Sequence, residues 1–118
     1  VNTAAQYGAI SALEGPEDHL NDMIKEFSIR RKLIVDGLRS LKDVECSLPG
    51  GTFFAFPNVR GTGMNGEEFA RKCLQEAGVA VIPGTAFGKF ATNHVRFNFA
   101  TSRENISKAV EKIDKILQ

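Results

Sequence analysis

Leu20, Met23, Ile24, Phe27, Ile34, Leu38 and Leu41 fall at the three- and four-residue spacings of one face of an α-helix. Pro16, Glu17 and Asp18 supply the start such a helix favours, a proline preset for the first turn and carboxylates at the positive end. The pattern predicts a long helix over about residues 16–42. A helix gains most of its stability by packing an apolar face, so the remainder of the chain must supply a surface for this one. Its outer face, with Asp22, Lys25, Glu26, Lys32, Asp36 and Arg39, is patterned for water. Arg31 interrupts the apolar register between Phe27 and Ile34; its stem is expected along the core with the head in water or paired, the alternative being a contact to another domain. Ahead of it, the Ala-rich stretch Thr3 to Leu13, with Ile10 and Leu13 on one side, predicts a first helix that Gly15-Pro16 breaks.

From Pro49 the period changes from 3.6 to 2. Thr52 to Phe56 reads as a short strand entered through Gly50-Gly51 and stopped by Pro57. Its phenylalanines, Phe53, Phe54 and Phe56, are expected in the core rather than on a base-stacking platform. After a Gly-rich loop over residues 58–66, Asn65 and Glu68 form a capping box for a third helix with the stripe Phe69, Cys73, Leu74 and Ala77, ended by Gly78 as a left-handed cap. Val79 to Ile82 predicts a second strand closed by Pro83-Gly84, and His94 to Ala100 a third. Thr101 and Glu104 then read as a capping box opening a last helix with Ile106, Ala109, Val110, Ile113 and Ile116 inward. The order is ααβαββα, an α+β fold with a small, mostly antiparallel sheet of three or four strands covered by helices and preceded by the long N-terminal helix. Such an order names no function.

A chain of 118 residues holds one core and is too short for two full-sized domains. Its 15 basic and 14 acidic residues divide into −1 over residues 1–60 and +2 over residues 61–118, so neither half presents the basic field of a nucleic-acid binder. Cys46 and Cys73 stand 27 residues apart without further ligands nearby, which fits neither a disulfide framework nor a zinc site; both read as reduced thiols, Cys73 in the core. No apolar run approaches the ~20 residues of a membrane span, and no basic-then-apolar leader opens the chain, so a cytoplasmic protein is expected. Val1 leads directly into helical patterning, as expected of a segment cut from something longer.

The strand over residues 94–100 carries the clearest chemistry. Alternation puts Val95, Phe97 and Phe99 on one face and His94, Arg96, Asn98 and Ala100 on the other. A guanidinium held by a strand is well shaped to grip a carboxylate or phosphate through two parallel hydrogen bonds. His94 has no His, Cys, Asp or Glu at a metal-ligand spacing and reads as an edge histidine. Gly61-Thr62-Gly63 and the Gly84 to Gly88 segment lack the ending of a phosphate loop and read as turns.

Taken in order, the Ala-rich entry with Gln6, Arg30-Arg31-Lys32, Pro49-Gly50-Gly51-Thr52-Phe53-Phe54, the segment from Gly78 to Gly84 with Phe87-Gly88, and Val95-Arg96-Phe97-Asn98-Phe99-Ala100 resemble the C-terminal part of class I/II aminotransferases. These are pyridoxal-phosphate enzymes of fold type I, of the aspartate aminotransferase kind, and the likeness covers essentially the whole chain. It implies a small domain, with residues 1–42 as linking helices and 43–118 as sheet and helices, that closes over substrate in a longer enzyme. It implies that Arg96 binds the α-carboxylate shared by amino-acid and 2-oxo-acid substrates, and that Gly50, Gly51, Gly84, Phe87 and Gly88 line the cleft wall. Pyridoxal phosphate would be held by the large domain of the same enzyme, expected as a homodimer. No segment here matches the Schiff-base lysine, so the chain alone is expected to bind no cofactor, to hold no catalytic residue and to be inactive. Two other readings stay open: a free-standing βαββα module for a ligand or RNA, and the small domain of a fold type I lyase, decarboxylase or synthase.

Overall fold

A computed structural model describes residues 1–118. Helix α1 (Thr3–Glu14) is capped by Asn2, whose side-chain oxygen accepts from the backbone N–H groups of Ala4 and Ala5. Helix α2 (Asp18–Ser40) follows at once. It is shorter at both ends than the expected 16–42, because Glu17 sits outside helical geometry and Leu41 is already extended. Strand β1 (Phe54–Ala55), helix α3 (Gly66–Lys72), strand β2 (Ile82–Pro83), strand β3 (Val95–Asn98) and helix α4 (Arg103–Leu117) complete the order. The fold is α+β, with a three-stranded antiparallel sheet in the order β1-β3-β2.

The strands are shorter than their sequence patterns. Thr52 enters β1 with φ +65°, which ends extended geometry on that side, and Pro57 has no N–H to continue the ladder on the other. Pro57 still contributes its carbonyl, which accepts from the Val95 N–H at 3.2 Å. Val79 to Val81 pair with no strand, and β2 is an edge strand that tolerates Pro83.

The core gathers Ile34, Val35 and Leu38 of α2, Ala55 of β1, Phe69 of α3 with Cys73 just after it, Val95 and Phe97 of β3 with Phe99 beyond it, and Ile106 and Ile113 of α4. The stripe of α2 meets this core only from Phe27 onward. Leu20, Met23 and Ile24 are exposed, and α1 buries no residue, so Ile10 and Leu13 have no cover within the chain. In the third helix the inward face runs through Phe69, Ala70, Cys73 and Ala77, and Leu74 points outward, against expectation. Leu74 stands at the same spacings, four from Ala70 and three from Ala77, but in the π-helical turn Cys73–Ala77 that ends the helix its side chain is exposed. The Asn65–Glu68 capping box is formed, and Gly78 closes the last turn at φ +64°.

Helix α4 starts one residue later than the sequence suggests. Ser102, not Thr101, is the cap, its hydroxyl accepting from the Asn105 N–H at 3.2 Å. Glu104 is thereby placed in the first turn, where it accepts from Lys108 at 2.6 Å instead of closing a box. Serine is the stronger capping residue of the two, and Thr101 instead accepts at its hydroxyl from the Asn105 side-chain amide at 3.1 Å.

Glu26 ties α2 to the start of α4. It accepts from Arg30 Nε at 2.7 Å and from Arg103 through Nε at 3.1 Å and through Nη2. Hydrogen bonds from Arg103 first, and from Arg30 second, hold its carboxyl down from 4.5 to about 2. A depressed pKa means the unfolded chain binds more protons, so this contribution to stability is complete above pH 4.5 and is lost as pH falls toward about 2. Denaturant midpoints of the wild type and Glu26→Gln, measured from pH 6 downward, are expected to differ most at pH 6 and to converge below pH 4.5. No helix is long and apolar enough to cross a membrane.

Candidate functional site

Strand β3 alternates as its sequence demands: Val95, Phe97 and Phe99 are buried, while Arg96 and Asn98 face the other side. Register extends that open side across the sheet, since Phe54 pairs with Asn98 and Ile82 with Arg96. Phe56 continues it beyond β1, its ring stacked on the His94 imidazole at 5.1 Å.

Phe53, Phe54 and Phe56 are therefore not core residues. Only Ala55 points inward from this strand, and Phe53 and Phe56 are about 40% exposed, at 42% and 40%. Two residues of β1 can present just one side chain to the interior, and the smallest of the run occupies it. Phe53 instead packs against Phe27 of α2 and against Phe54, with centroids 6.2 and 4.6 Å apart.

The Arg96 guanidinium lies against two rings, its central carbon 4.2 Å from the Phe54 centroid and 4.4 Å from that of Phe87. Phe87 ends the short turn Gly84–Phe87 and meets Phe56 edge-on at 6.1 Å. Aromatic faces attract a cation without accepting its N–H groups in the plane. The result is a partly exposed guanidinium of fixed position with no protein hydrogen bond and no carboxylate partner. The arginines that do form ion pairs, Arg30 and Arg103, share Glu26.

Arg96 and Phe87 are thus brought together, and Phe54, expected in the core, stands beside them. Gly50 and Gly51 lie elsewhere on the surface, lining a cleft with Arg31 and Thr52. Gly84 is buried: its N–H donates to the His94 carbonyl at 2.7 Å, and a Cβ there would stand 2.1 Å from the Ala91 carbonyl. Gly84→Ala is expected to destabilise the fold by about 1–3 kcal/mol through overpacking, read as a fall in the denaturant midpoint. Gly88, exposed at φ +138°, gives the turn its exit.

Other reactive groups do not converge here. Cys46 and Cys73 are free and buried, and burial pushes the Cys73 thiol up to about 12 and raises that of Cys46. Neither is a nucleophile at neutral pH. No three of His, Cys, Asp and Glu gather as a metal site. Arg31, expected to snorkel or pair, donates from Nη1 to the Pro49 carbonyl at 3.1 Å.

The model for aminotransferases of class I and II matches residues 1–113. An aspartate aminotransferase of Pyrococcus horikoshii is 39% identical over 120 aligned positions, covering 100% of this chain and 31% of that protein. A (5-formylfuran-3-yl)methyl phosphate transaminase of Methanocaldococcus jannaschii is 42% identical, over 98% of this chain and 30% of its own length. Among solved structures, an alanine aminotransferase of Pyrococcus furiosus superposes with a TM-score of 0.93 at 31% identity, over 98% of this chain and 30% of that one. The chain therefore spans about a third of the length of these relatives. With its α+β architecture and nearly all of its residues matched, the chain belongs to the class I and II aminotransferase family.

Proposed function

We propose that this chain is the substrate-carboxylate-binding and closure domain of a pyridoxal-phosphate aminotransferase that moves an amino group between an amino acid and a 2-oxo acid, in the manner of aspartate aminotransferase. Residues 1–42 are its linking helices and 43–118 its body. The observation that carries the reading is the Arg96 guanidinium, set against the rings of both Phe54 and Phe87 and without a hydrogen-bond or ion-pair partner in the chain. A carboxylate approaching in the guanidinium plane can form two parallel N–H···O bonds without displacing an existing partner. Amino-acid and 2-oxo-acid forms of a substrate share that carboxylate, so one anchor serves both and fixes the orientation of the neighbouring carbon.

The family uses pyridoxal phosphate to delocalise charge from the substrate carbon. The residues of this chain do not fit that cofactor: none of its eight lysines lies on the strands of the sheet, and Lys25, Lys32 and Lys108 are paired with Asp22, Asp36 and Glu104. The lysine and the phosphate cup are assigned to the rest of the parent enzyme. The exposed Tyr7, Ile10 and Leu13 of α1, with Leu20, Met23 and Ile24 of α2, support cover by that missing part.

The full-length protein, purified with cofactor, is expected to convert amino-acid donors to 2-oxo acids one-for-one with amination of an acceptor. Carbon dioxide release, or loss of a β-substituent, in place of amino transfer would show a parent of different chemistry. The isolated 118-residue chain mixed with pyridoxal phosphate is expected to produce no stoichiometric change in the cofactor spectrum; a one-to-one change would contradict the division of labour.

A further inference from the structure

Two arginines of α2 reach the segment that leads to the Arg96 clamp. Arg39 Nε donates to the Cys46 carbonyl at 2.7 Å, and Arg31 Nη1 to the Pro49 carbonyl at 3.1 Å. The segment between them is thus held at both ends by one rigid helix. Beyond it the chain has little else to hold it. Gly50 and Gly51 are exposed, with open space where side chains would be, and Thr52 takes a left-handed φ of +65° that L-residues rarely adopt. The turn is then tied forward, the Phe54 N–H donating to Thr52 Oγ1 at 3.2 Å. Phe53 rests on Phe27, Phe54 rests on Phe53, and the Arg96 guanidinium rests on Phe54.

We propose that Arg31 is a positioning residue for the carboxylate anchor: its bond to the Pro49 carbonyl sets the Gly50–Thr52 turn, and that turn sets the Phe54 ring against which Arg96 is aimed. The proposal rests on the reading of Arg96 given above. It accounts for a charged residue in the apolar register of α2, where the Arg31 Nε is buried without a partner and only the fork at the end of the side chain is used. A planar fork on a stiff helix transmits position better than a flexible ammonium, so charge alone is not the requirement.

The test uses the full-length enzyme, with Arg31→Met, Arg31→Lys, Arg96→Lys and Arg96→Lys combined with each Arg31 variant. Arg31→Met is expected to raise KM for the amino-acid donor about 10-fold while kcat changes less than about threefold, the signature of weakened substrate binding. Arg31→Lys keeps the charge and is expected to raise KM about threefold, with a melting temperature within ~4 °C of wild type. In the Arg96→Lys background, Arg31→Met is expected to add less than about twofold, because residues acting through one contact are not additive. An unchanged KM in Arg31→Met, a full ~10-fold penalty persisting beside Arg96→Lys, or a wild-type KM in Arg31→Lys would each overturn the proposal. Should Arg31→Met not fold, Arg31→Lys alone decides by its rise in KM and by the loss of that rise beside Arg96→Lys. Failure of the underlying reading looks different: Arg96→Lys would itself leave KM unchanged.

Discussion

Arg96→Lys in the full-length enzyme is expected to lower kcat/KM by about 100-fold, equivalent to about 2.7 kcal/mol of transition-state binding, although the charge is kept. Lysine presents one compact ammonium where arginine presents two parallel donors, and it offers no planar cation to the Phe54 and Phe87 rings, whose centroids stand 4.2 and 4.4 Å from the guanidinium carbon. Under the proposed amino transfer the loss is expected for the donor amino acid and the acceptor 2-oxo acid alike, since both would present the same carboxylate. Steady-state kinetics with each substrate varied in turn checks this, and a loss confined to one of them would show that Arg96 recognises something other than their common group. Phe87→Leu, which removes one wall of the clamp and leaves the guanidinium, is expected to cost less, about 10-fold, in line with one cation–π contact of about 0.5–2 kcal/mol.

Phe99→Ala is expected to remove about 3–5 kcal/mol of stability, a large part of the ~5–15 kcal/mol typical of a folded domain. Its ring has no solvent exposure and packs against Phe27 at 6.4 Å, and its N–H donates to the Phe53 carbonyl at 2.9 Å, so it stands under both α2 and the strand that carries the clamp. Phe99→Leu is expected to lose less than half as much, because the cavity is largely refilled. Phe90→Ala, at a position 91% exposed, is the control and is expected to stay within about 0.5 kcal/mol of wild type. Equilibrium unfolding in denaturant separates the three.

The difference between Phe99 and Phe54 shows where sequence reading succeeds. Apolar and polar residues alternate over the five positions Val95 to Phe99, so period 2 sorts Phe99 inward and Arg96 outward from the chain alone. Around Phe54 the run is shorter and aromatic on both faces, and only the pairing of Ala55 with Phe97 reveals which phase faces the core. The register between distant strands is a tertiary property, and so is the clamp that depends on it.

The same division holds elsewhere. Asn65 with Glu68 announces a helix start through local chemistry, and the box is formed. Thr101 and Ser102 are adjacent candidate caps; the Thr101–Glu104 spacing points to the first, while serine's stronger capping preference agrees with the second, which the structure uses. Leu20, Met23 and Ile24 extend the stripe of α2 correctly, yet this chain buries none of them. Arg31 is legible as an exception in its helix, but its partner lies 18 residues away in a loop.

A crystal structure of the full-length enzyme with a 2-oxo acid bound tests the central claim most directly. Both carboxylate oxygens are expected within about 2.7–2.9 Å of Arg96 guanidinium nitrogens, in its plane and beside the Phe54 and Phe87 rings. A substrate carboxylate held by other groups, with the Arg96 edges turned to solvent, would contradict the assignment.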